Sequence, residues 1–151
     1  MKKEETVDYN IKAAWHAISR MYNQYGQQFD LTSSTGFVLL NIDVDEGTPA
    51  TKIAPLMGLE ARSLTRMLKN LEERKLIYRK PDEKDGRSVR IMLTDEGTKK
   101  REISRRAVIA LNEAILDKVT TKKMSVFFEV INQVQDLVND KNLIQEKIKD
   151  I

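Results

Sequence analysis

The 151-residue sequence contains no cysteine and a single histidine, His16. The absence of cysteine excludes disulfides, thiolate metal sites and a cysteine-based peroxide sensor. A zinc site typically takes about four ligands, most often His and Cys, so His16 alone does not indicate one. We therefore predict a protein with neither a bound metal nor another cofactor.

The sequence also has no apolar run near the roughly 18 residues that a membrane-spanning helix needs. Its start, MKKEETVDYN, is too polar for a secretory signal. A Gly-rich phosphate loop is absent, and Ser, His and Asp do not stand in a recognisable catalytic motif. We therefore predict a cytoplasmic protein that is not an enzyme and does not bind a membrane.

Positive charge is concentrated in one part of the chain. Residues 61–106 contain 15 Lys and Arg against 8 Asp and Glu, whereas the rest of the chain contains 11 against 15. A basic region of this kind is the electrostatic footprint of phosphate binding, but a solvated surface with uneven charge has the same composition. The choice between the two depends on the local sequence pattern.

The segment that begins at Ala50 has the pattern of a helix-turn-helix. Ala54 is small enough for two helices to approach closely, and Gly58 can adopt the positive φ of the tight turn between them. Pro55 removes few hydrogen bonds near a helix start, so the first helix should be short. The small or apolar residues of the motif are Ile53, Ala54, Met57, Gly58, Leu59, Leu64 and Met67.

The second helix of this motif carries a basic and hydroxylated face opposite its leucines. Such a face suits the major groove, because Arg pairs with guanine O6 and N7 while hydroxyls and Lys bind phosphates or bases. The predicted DNA-binding residues of this helix are Arg62, Ser63, Thr65, Arg66 and Lys69. A solvated helix surface is the alternative, and the helix-turn-helix core behind the face favours DNA.

A charged β-hairpin, or wing, is predicted after this helix. Residues 78–80 form one strand, residues 81–86 the turn and residues 88–93 the returning strand, in which apolar residues alternate. We expect Arg87 to enter a narrow minor groove and Asp85 to hold its guanidinium; a surface salt bridge without function is the alternative. The predicted DNA-binding residues of the wing are Lys84, Asp85 and Arg87.

Two helices are predicted before the motif. Apolar residues at steps of three and four within residues 9–29 indicate a long amphipathic helix. Thr32 or Ser33 then caps a second helix, and residues 45–47 turn the chain out of it. The residues of the second helix that we predict to face inward are Phe37, Leu40 and Val44.

Two further helices are predicted after the hairpin. Thr94 is the candidate N-cap of the first, and Thr120 or Thr121 begins the last. The last helix has apolar residues at helical spacing, namely Met124, Phe127, Phe128, Ile131, Val134 and Val138. Because the first and last helices carry more apolar surface than the central motif can cover, we predict a two-fold dimer; antiparallel packing within one chain is the alternative.

With these motifs, the chain resembles the MarR family of bacterial transcription regulators over nearly its whole length. The most specific match is the wing signature, a D-x-R followed by a strand and L-T-x-x-G, here Asp85-Gly86-Arg87 and Leu93-Thr94-Asp95-Glu96-Gly97. Ser63-Leu64-Thr65-Arg66 and Leu71-Glu72-Glu73 also resemble the recognition helix of the family. Lys75 stands where the family usually has Gly, so the chain must adopt a left-handed residue or turn differently.

The resemblance implies a mainly α fold with a small β-hairpin wing, that is, a winged helix-turn-helix with long N- and C-terminal dimerisation helices. Residues 1–151 are then a single MarR-like domain, with the winged helix-turn-helix in 45–97 and the dimerisation helices in 8–30 and 98–151. We expect a pocket between the helices to be lined by Trp15, His16, Tyr22 and Phe37, although aromatic residues at such positions commonly belong to a core.

The function implied by the resemblance is sequence-specific binding of double-stranded DNA by a homodimeric repressor. Such a repressor binds a pseudo-palindromic operator and is released by a small aromatic or lipophilic effector. The alternative is a winged-helix protein-interaction module without specific DNA binding. The two differ in whether DNA affinity depends on Arg66 and Arg87.

Overall fold

The computed structural model of the chain describes residues 1–83, 85–140 and 142–149. Within these residues the chain forms seven α-helices and three short β-strands, so the predicted fold class, mainly α with a β-hairpin wing, is confirmed. The helices are α1 (Val7–Gly26), α2 (Ser33–Leu40), α3 (Ala50–Leu56), α4 (Ala61–Glu73), α5 (Asp95–Leu116), α6 (Thr121–Asn139) and α7 (Leu143–Ile148). The strands are β1 (Thr48–Pro49), β2 (Ile77–Pro81) and β3 (Val89–Leu93).

The chain divides into two compact units, a first unit of residues 1–108 and a second unit of residues 109–151. The first unit contains the helix-turn-helix, formed by α3 and α4, and the whole sheet. The second unit contains α6 and α7. The single domain expected over residues 1–151 stays a prediction.

The connection from α1 to α2 passes through a left-handed residue. A 3-10 turn at Gln27–Phe29 follows α1, and Asp30 then has a φ of +54°. Thr32 begins α2, because its hydroxyl accepts a hydrogen bond from the N–H of Thr35 (3.1 Å). Of the two candidate caps, the chain therefore uses Thr32.

The inward face of α2 differs from the prediction. Val38 and Leu39 are fully buried, whereas Phe37 and Leu40 are half-buried and Val44 is exposed. The run from Phe37 to Leu40 consists of four consecutive apolar residues. Such a run has no periodicity to show which face of a short helix points inward.

The hydrophobic core of the first unit is shared by the helix-turn-helix and the sheet. Its buried members are Leu31, Val38, Leu39, Ile42, Ile53, Ala54, Leu64, Leu68, Leu71, Leu76, Ile77 and Ile91. A two-stranded ribbon is not stable alone in water, and Ile77 and Ile91 attach it to the helices through this core. The core therefore fixes where the wing leaves the domain.

The sheet has three antiparallel strands in the order β1-β3-β2. β2 and β3 form the predicted hairpin, with Ile77 opposite Leu93 and Pro81 opposite Val89. β1 is a third strand that the sequence did not predict, and its Thr48 pairs with Ile91. A two-residue edge strand is too short to show an alternating pattern, and its proline is tolerated at an edge.

In the second unit, Thr120 caps α6 by accepting a hydrogen bond from the N–H of Lys123 (3.4 Å). No residue from Thr121 to Asn139 is buried. The side chains of Phe127 and Phe128 are 52% and 54% exposed, and their ring centroids lie 5.5 Å apart. In the single chain, the large apolar residues of α6 are therefore accessible to solvent.

Candidate nucleic-acid interface

Helix α4 separates its apolar and polar side chains onto opposite faces. Leu64, Leu68 and Leu71 are buried in the core. The residues predicted to read the major groove are all exposed, namely Arg62, Ser63, Thr65, Arg66 and Lys69. The structure thus brings these five residues together on the accessible surface of one helix.

Two of these side chains have partners on their own helix. The hydroxyl of Thr65 donates to the carbonyl of Ala61 (2.9 Å), so its oxygen lone pairs remain accessible as acceptors. Lys69 Nζ lies 3.9 Å from Glu73 Oε1, and both side chains are largely exposed. An exposed ion pair of this length is weak, so Lys69 can exchange its partner for a phosphate at little cost.

The turn between α3 and α4 depends on Gly58, which has a φ of +61°. A Cβ added at this position would meet no atom within 4 Å, so glycine is favoured by its backbone conformation and not by lack of space. The N–H of Leu59 then donates to the carbonyl of Ala54 (3.0 Å) and closes the turn. Both residues lie where the helix-turn-helix pattern predicts them.

The start of α4 is not capped by a side chain. Glu60 is the N-cap residue, and its carboxylate makes no capping hydrogen bond. The cap side chain therefore does not occupy the first N–H groups of the helix, which carry the positive end of the helix dipole. A phosphate placed at such a helix start is stabilised by both.

The end of α4 uses a left-handed lysine, since Lys75 has a φ of +57°. The N–H of Leu76 donates to the carbonyl of Leu71 (2.9 Å), and the N–H of Lys75 donates to the carbonyl of Glu72 (2.9 Å). These are the two hydrogen bonds of a Schellman motif, whose left-handed position usually holds glycine. The chain therefore keeps the usual helix end and tolerates the less favourable residue there.

The wing presents Arg87 at its exposed tip, while Lys84 lies outside the described residues. Asp85 contacts Arg87 through the backbone, because Asp85 Oδ1 accepts the N–H of Arg87 (3.1 Å). The predicted contact was with the guanidinium. An Asp side chain in a turn commonly accepts the N–H two residues ahead, so Asp85 shapes the backbone that carries Arg87.

A salt bridge links the end of β2 to the turn of the wing. Lys80 Nζ donates to Glu83 Oε1 (2.8 Å). This hydrogen bond raises the pKa of Lys80 and lowers the pKa of Glu83. Both groups therefore stay charged at neutral pH, but their exposure makes the pair a small contribution to stability.

The base of the wing is joined to the loop before β1 by Arg90 and Asp82, which the sequence analysis missed. Arg90 Nε and Nη2 each lie 3.1 Å from Asp82 Oδ2. Arg90 Nη1 donates to the carbonyls of Glu46 and Gly47, both at 3.1 Å. Asp82 is buried, with 7% of its surface exposed. Two of the acceptors are backbone carbonyls, which leave no side-chain signature in a sequence.

The L-T-x-x-G part of the wing signature has a structural reason. Thr94 caps α5, because its hydroxyl oxygen accepts the N–H of Gly97 (3.0 Å), and it donates to the carbonyl of Lys75 (2.7 Å). A Cβ at Gly97 would lie 1.9 Å from the carbonyl oxygen of Leu76. Threonine and glycine therefore let the start of α5 pack against the end of α4.

Residues 31–89 match the family model described as "MarR family", a segment that contains the helix-turn-helix and most of the wing. This part of the chain is therefore similar to the MarR family. It is similar to the HTH-type transcriptional regulator SarZ of Staphylococcus aureus, with 35% identity over 80 residues. That alignment covers 53% of this chain and 54% of SarZ, so the chain spans about half the length of the curated relatives it matches.

The fold of this chain is also found in solved structures. Staphylococcus aureus MepR, in a complex with DNA, has a TM-score of 0.79 and 23% identity, over 87% of this chain and 97% of MepR. The PcaV transcriptional regulator from Streptomyces coelicolor, in complex with its natural ligand, has a TM-score of 0.73 and 20% identity, over 91% of this chain and 97% of PcaV. At these identities the likeness concerns the fold.

The first unit also contains a small cavity between α1, α2 and α5. Its volume is about 30 Å³, which is room for little more than one water molecule. Of the predicted pocket residues, Tyr22 and Phe37 line it, whereas the side chains of Trp15 and His16 are on the exposed surface of α1. Trp15 contacts the cavity wall from outside, with its ring centroid 5.6 Å from that of Phe37. Burial raises the pKa of Tyr22.

Two further properties concern the described part of the chain. No helix in it combines the length and hydropathy needed to cross a membrane. The same residues contain no group of three or more His, Asp or Glu side chains that could hold a metal ion. His16, the single histidine, is exposed on α1.

Proposed function

We propose that this chain is a sequence-specific regulator of transcription that binds double-stranded DNA and is not an enzyme. The observation that carries the proposal is the exposed face of α4, where five basic or hydroxylated side chains lie directly over a helix-turn-helix core. SarZ, to which the chain is similar, is described as an HTH-type transcriptional regulator. Such a regulator acts on bacterial DNA in the cytoplasm.

In the proposed complex, α4 lies in the major groove. Arg62 and Arg66 present guanidinium groups to guanine edges, while Thr65 and Lys69 bind bases or phosphates. Ser63 lies beside this face, close to the uncapped start of α4, where a phosphate is stabilised. The contacts divide into base recognition by the arginines and backbone positioning by the rest.

The wing is proposed to contact the adjacent minor groove. Arg87 is exposed at the tip and carries the positive charge that a narrow minor groove attracts. Lys84 stands three residues before Arg87 in the sequence and carries a second positive charge. Asp85 supports this contact indirectly, because it holds the backbone N–H of Arg87.

The chain is proposed to act as a homodimer on a pseudo-palindromic operator. The exposed phenylalanines of α6 and the exposed Trp15 of α1 are large apolar side chains that a second copy would cover. A two-fold dimer then places two copies of α4 in successive major grooves, about 34 Å apart. Any change in that separation weakens binding of both half-sites together.

Release by a small aromatic or lipophilic effector is the proposed mode of repression control. PcaV is described as bound to its natural ligand, which supports a ligand-controlled fold of this type. The cavity of about 30 Å³ is too small for an aromatic molecule, so a ligand must displace its wall to enter. Tyr22 of α1 and Phe37 of α2 are part of that wall, and their movement would carry α1 and α2 with it.

The experiment that tests DNA recognition begins with selection of bound sequences from random duplex DNA. Affinity of the selected duplex is then measured against salt concentration for the wild type, Arg66→Ala, Arg87→Ala and the control Arg106→Ala. Arg106 is an exposed arginine of α5 that pairs with Glu102 (3.2 Å), outside the proposed interface. Each interface variant should lose about 5- to 100-fold in affinity and lower the salt slope by about one, whereas the control should change neither.

The outcomes of this experiment separate the proposed function from its alternative. Enrichment of a two-fold symmetric sequence, with the expected losses, supports a DNA-binding regulator. The proposal is overturned if no sequence is enriched, or if DNA affinity is unchanged in both Arg66→Ala and Arg87→Ala. Either result favours a winged-helix module for protein interaction. Half-site spacing in the selected sequences separately tests the dimer.

A further inference from the structure

We propose that Arg90 is a positioning residue that holds the wing tip, and with it Arg87, in the orientation needed for DNA contact. Arg90 acts through Asp82 and Asp85 and does not itself touch DNA. The inference rests on the proposed function for its consequence, but its geometric part concerns the free protein. The structure connects Arg90 to Arg87 in three steps.

The first step joins Arg90 to the body of the first unit. Its guanidinium donates from Nη1 to the carbonyls of Glu46 and Gly47, both at 3.1 Å, in the loop before β1. Gly47 lies tightly against β3, since a Cβ there would be 2.5 Å from the carbonyl oxygen of Ile91. Ile91 is fully buried, so this loop and β3 form a rigid base for the guanidinium.

The second step joins Arg90 to Asp82, at the point where the hairpin turns. Arg90 Nε and Nη2 both approach Asp82 Oδ2 at 3.1 Å. The side chain of Asp82 is 6% exposed and that of Arg90 is 21% exposed. A pair shielded from water in this way is costly to break from one side, because the ion pair between the two charges is lost where water has little access.

The third step joins Asp82 to the tip. The N–H of Asp82 donates to the carbonyl of Ser88 (3.0 Å), and Asp82 Oδ1 accepts the N–H of Asp85 (3.3 Å). Asp85 Oδ1 in turn accepts the N–H of Arg87 (3.1 Å). The backbone of Arg87 is therefore connected to the loop before β1 through two carboxylates and one guanidinium.

Within the described residues, hydrogen bonds of the turn and the Lys80–Glu83 ion pair restrain the hairpin tip locally, whereas hydrophobic packing does not. β2 and β3 have two fully buried residues, Ile77 at the base of the ribbon and Ile91 at its middle, whereas Pro81 and Val89 at its outer end are exposed. The hydrophobic core therefore does not reach the tip. The polar chain from Arg90 connects the tip to the body of the first unit, which the local hydrogen bonds of the turn do not.

The test compares the wild-type protein with four variants whose new side chains are of comparable size. Arg90→Met removes the charge and keeps the aliphatic stem, and Asp82→Asn weakens the same pair from the other side with little change in shape. Arg79→Met is the matched control, because Arg79 lies opposite Ile91 on the neighbouring strand and pairs with Glu72 (3.0 Å). Arg90→Lys keeps the positive charge but loses the planar fork.

The first measurement concerns the free protein. ¹⁵N relaxation gives the order parameter S² of the backbone N–H groups of Gly86 and Arg87. We expect S² to fall toward about 0.6 in Arg90→Met and in Asp82→Asn. Arg79→Met should leave the tip as ordered as in the wild type, and Arg90→Lys should be intermediate. An unchanged tip in both Arg90→Met and Asp82→Asn overturns the proposal.

The second measurement is a double-mutant cycle in affinity for the selected duplex. Arg90→Met should weaken binding about tenfold in the wild type and in Arg66→Ala, but not in Arg87→Ala, because the residue it positions is then missing. Equal losses in all three backgrounds overturn the proposal, since they indicate a general effect on the domain. If no duplex is selected, the proposed function is overturned, and the relaxation measurement still decides whether Arg90 holds the tip.

Discussion

Helices α4 and α6 both have apolar residues at helical spacing, but these residues differ in how deeply they are buried. In α4, Leu64, Leu68 and Leu71 are buried, and the charged and hydroxylated side chains face solvent. In α6, Phe128 remains 54% exposed and Val138 70% exposed. The apolar face of α4 is thus buried within its own chain, whereas the apolar face of α6 is not.

This difference separates two roles. A helix whose apolar face is buried has a fixed position, so its polar face can recognise a ligand of defined geometry such as a DNA groove. A helix with large exposed apolar side chains gains about 25 cal/mol for each Å² that a partner covers, and several such side chains make association favourable. The first unit is therefore proposed to recognise DNA, and the second is proposed to provide the surface on which a second copy packs.

The largest effect is expected from placing negative charge on the exposed apolar face of α6, because this directly tests whether that face binds a second copy. The double variant Phe127→Asp/Phe128→Asp should be monomeric, because carboxylates cannot be buried unpaired at an interface. Its affinity for the selected operator should fall about 100- to 10,000-fold, since two half-sites are no longer bound together. Sedimentation equilibrium and operator titration measure both effects.

A control for this variant places the same charges on the polar side of α6. Asn132→Asp/Gln133→Asp adds two carboxylates at exposed positions and should leave both mass and affinity unchanged. The proposed role of α6 is contradicted if Phe127→Asp/Phe128→Asp remains a dimer. It is also contradicted if the wild type is already monomeric at micromolar concentration.

The second largest effect, on the free energy of unfolding, is expected from replacing an apolar side chain of α4 and one of α6 by alanine. Leu71→Ala should lower the free energy of unfolding by about 2–5 kcal/mol, because the leucine is fully buried and leaves a cavity. Val138→Ala, measured in the monomeric phenylalanine variant, should change it by less than about 0.5 kcal/mol. Urea denaturation of both compares the two helices, and equal losses would show that α6 also has a buried face within one chain.

The helix-turn-helix could be predicted because its signals are local. Residues three and four apart define the inward face of α4, and Gly58 marks the turn by its conformational freedom. Thr94 caps α5 through a bond to a residue three positions ahead. Each of these signals lies within one helical turn of the chain.

What the sequence did not reveal depends on strand register and long-range contacts. Arg90 and Asp82 meet across the hairpin only because Lys80 pairs with Arg90 and Pro81 with Val89 in this register. Strand β1 is two residues long, and α2 has four apolar residues in a row. None of these has a period that could indicate its place.

The two candidate sites, the exposed face of α4 and the pocket, also differ in whether their residues lie on one helix or on several. The five predicted residues of α4 share one element, so their common exposure follows from helix geometry. The predicted pocket joins residues of different helices, and only Tyr22 and Phe37 of its four members line the cavity. His16 follows Trp15 by one residue, about 100° around α1, and therefore points elsewhere.

A smaller effect tests how the recognition helix ends. Lys75→Gly should raise the free energy of unfolding by about 0.5–1 kcal/mol, because glycine adopts the left-handed conformation without the strain of a Cβ. Glu73→Gly, at the last helical residue of α4, should lower it by a similar amount. Urea midpoints compare the two, and a Lys75→Gly variant no more stable than the wild type would show that the left-handed lysine costs nothing here.

The smallest expected effect concerns the loop before β1, to which Arg90 is attached. Asp43 Oδ1 accepts the N–H groups of Glu46 (2.8 Å) and Asp45 (3.0 Å), and these hydrogen bonds lower the pKa of Asp43. A carboxyl whose pKa is lower in the folded chain stabilises it fully above the unfolded pKa. That stabilisation disappears as the pH falls through the folded pKa, that is, below about pH 4.

The matched variant Asp43→Asn separates the titration from the turn. Asn keeps an oxygen that accepts the same N–H groups but has no charge to lose. The wild type should be slightly more stable than Asp43→Asn at pH 6, and this difference should shrink as the pH falls below about 4, because the wild-type carboxyl then takes up a proton. Urea denaturation from pH 6 to pH 3 measures the difference, with Asp45→Asn as a control from the same loop. A difference that stays constant over this range would show that the charge of Asp43 does not hold the loop on which Arg90, and through it the wing, depends.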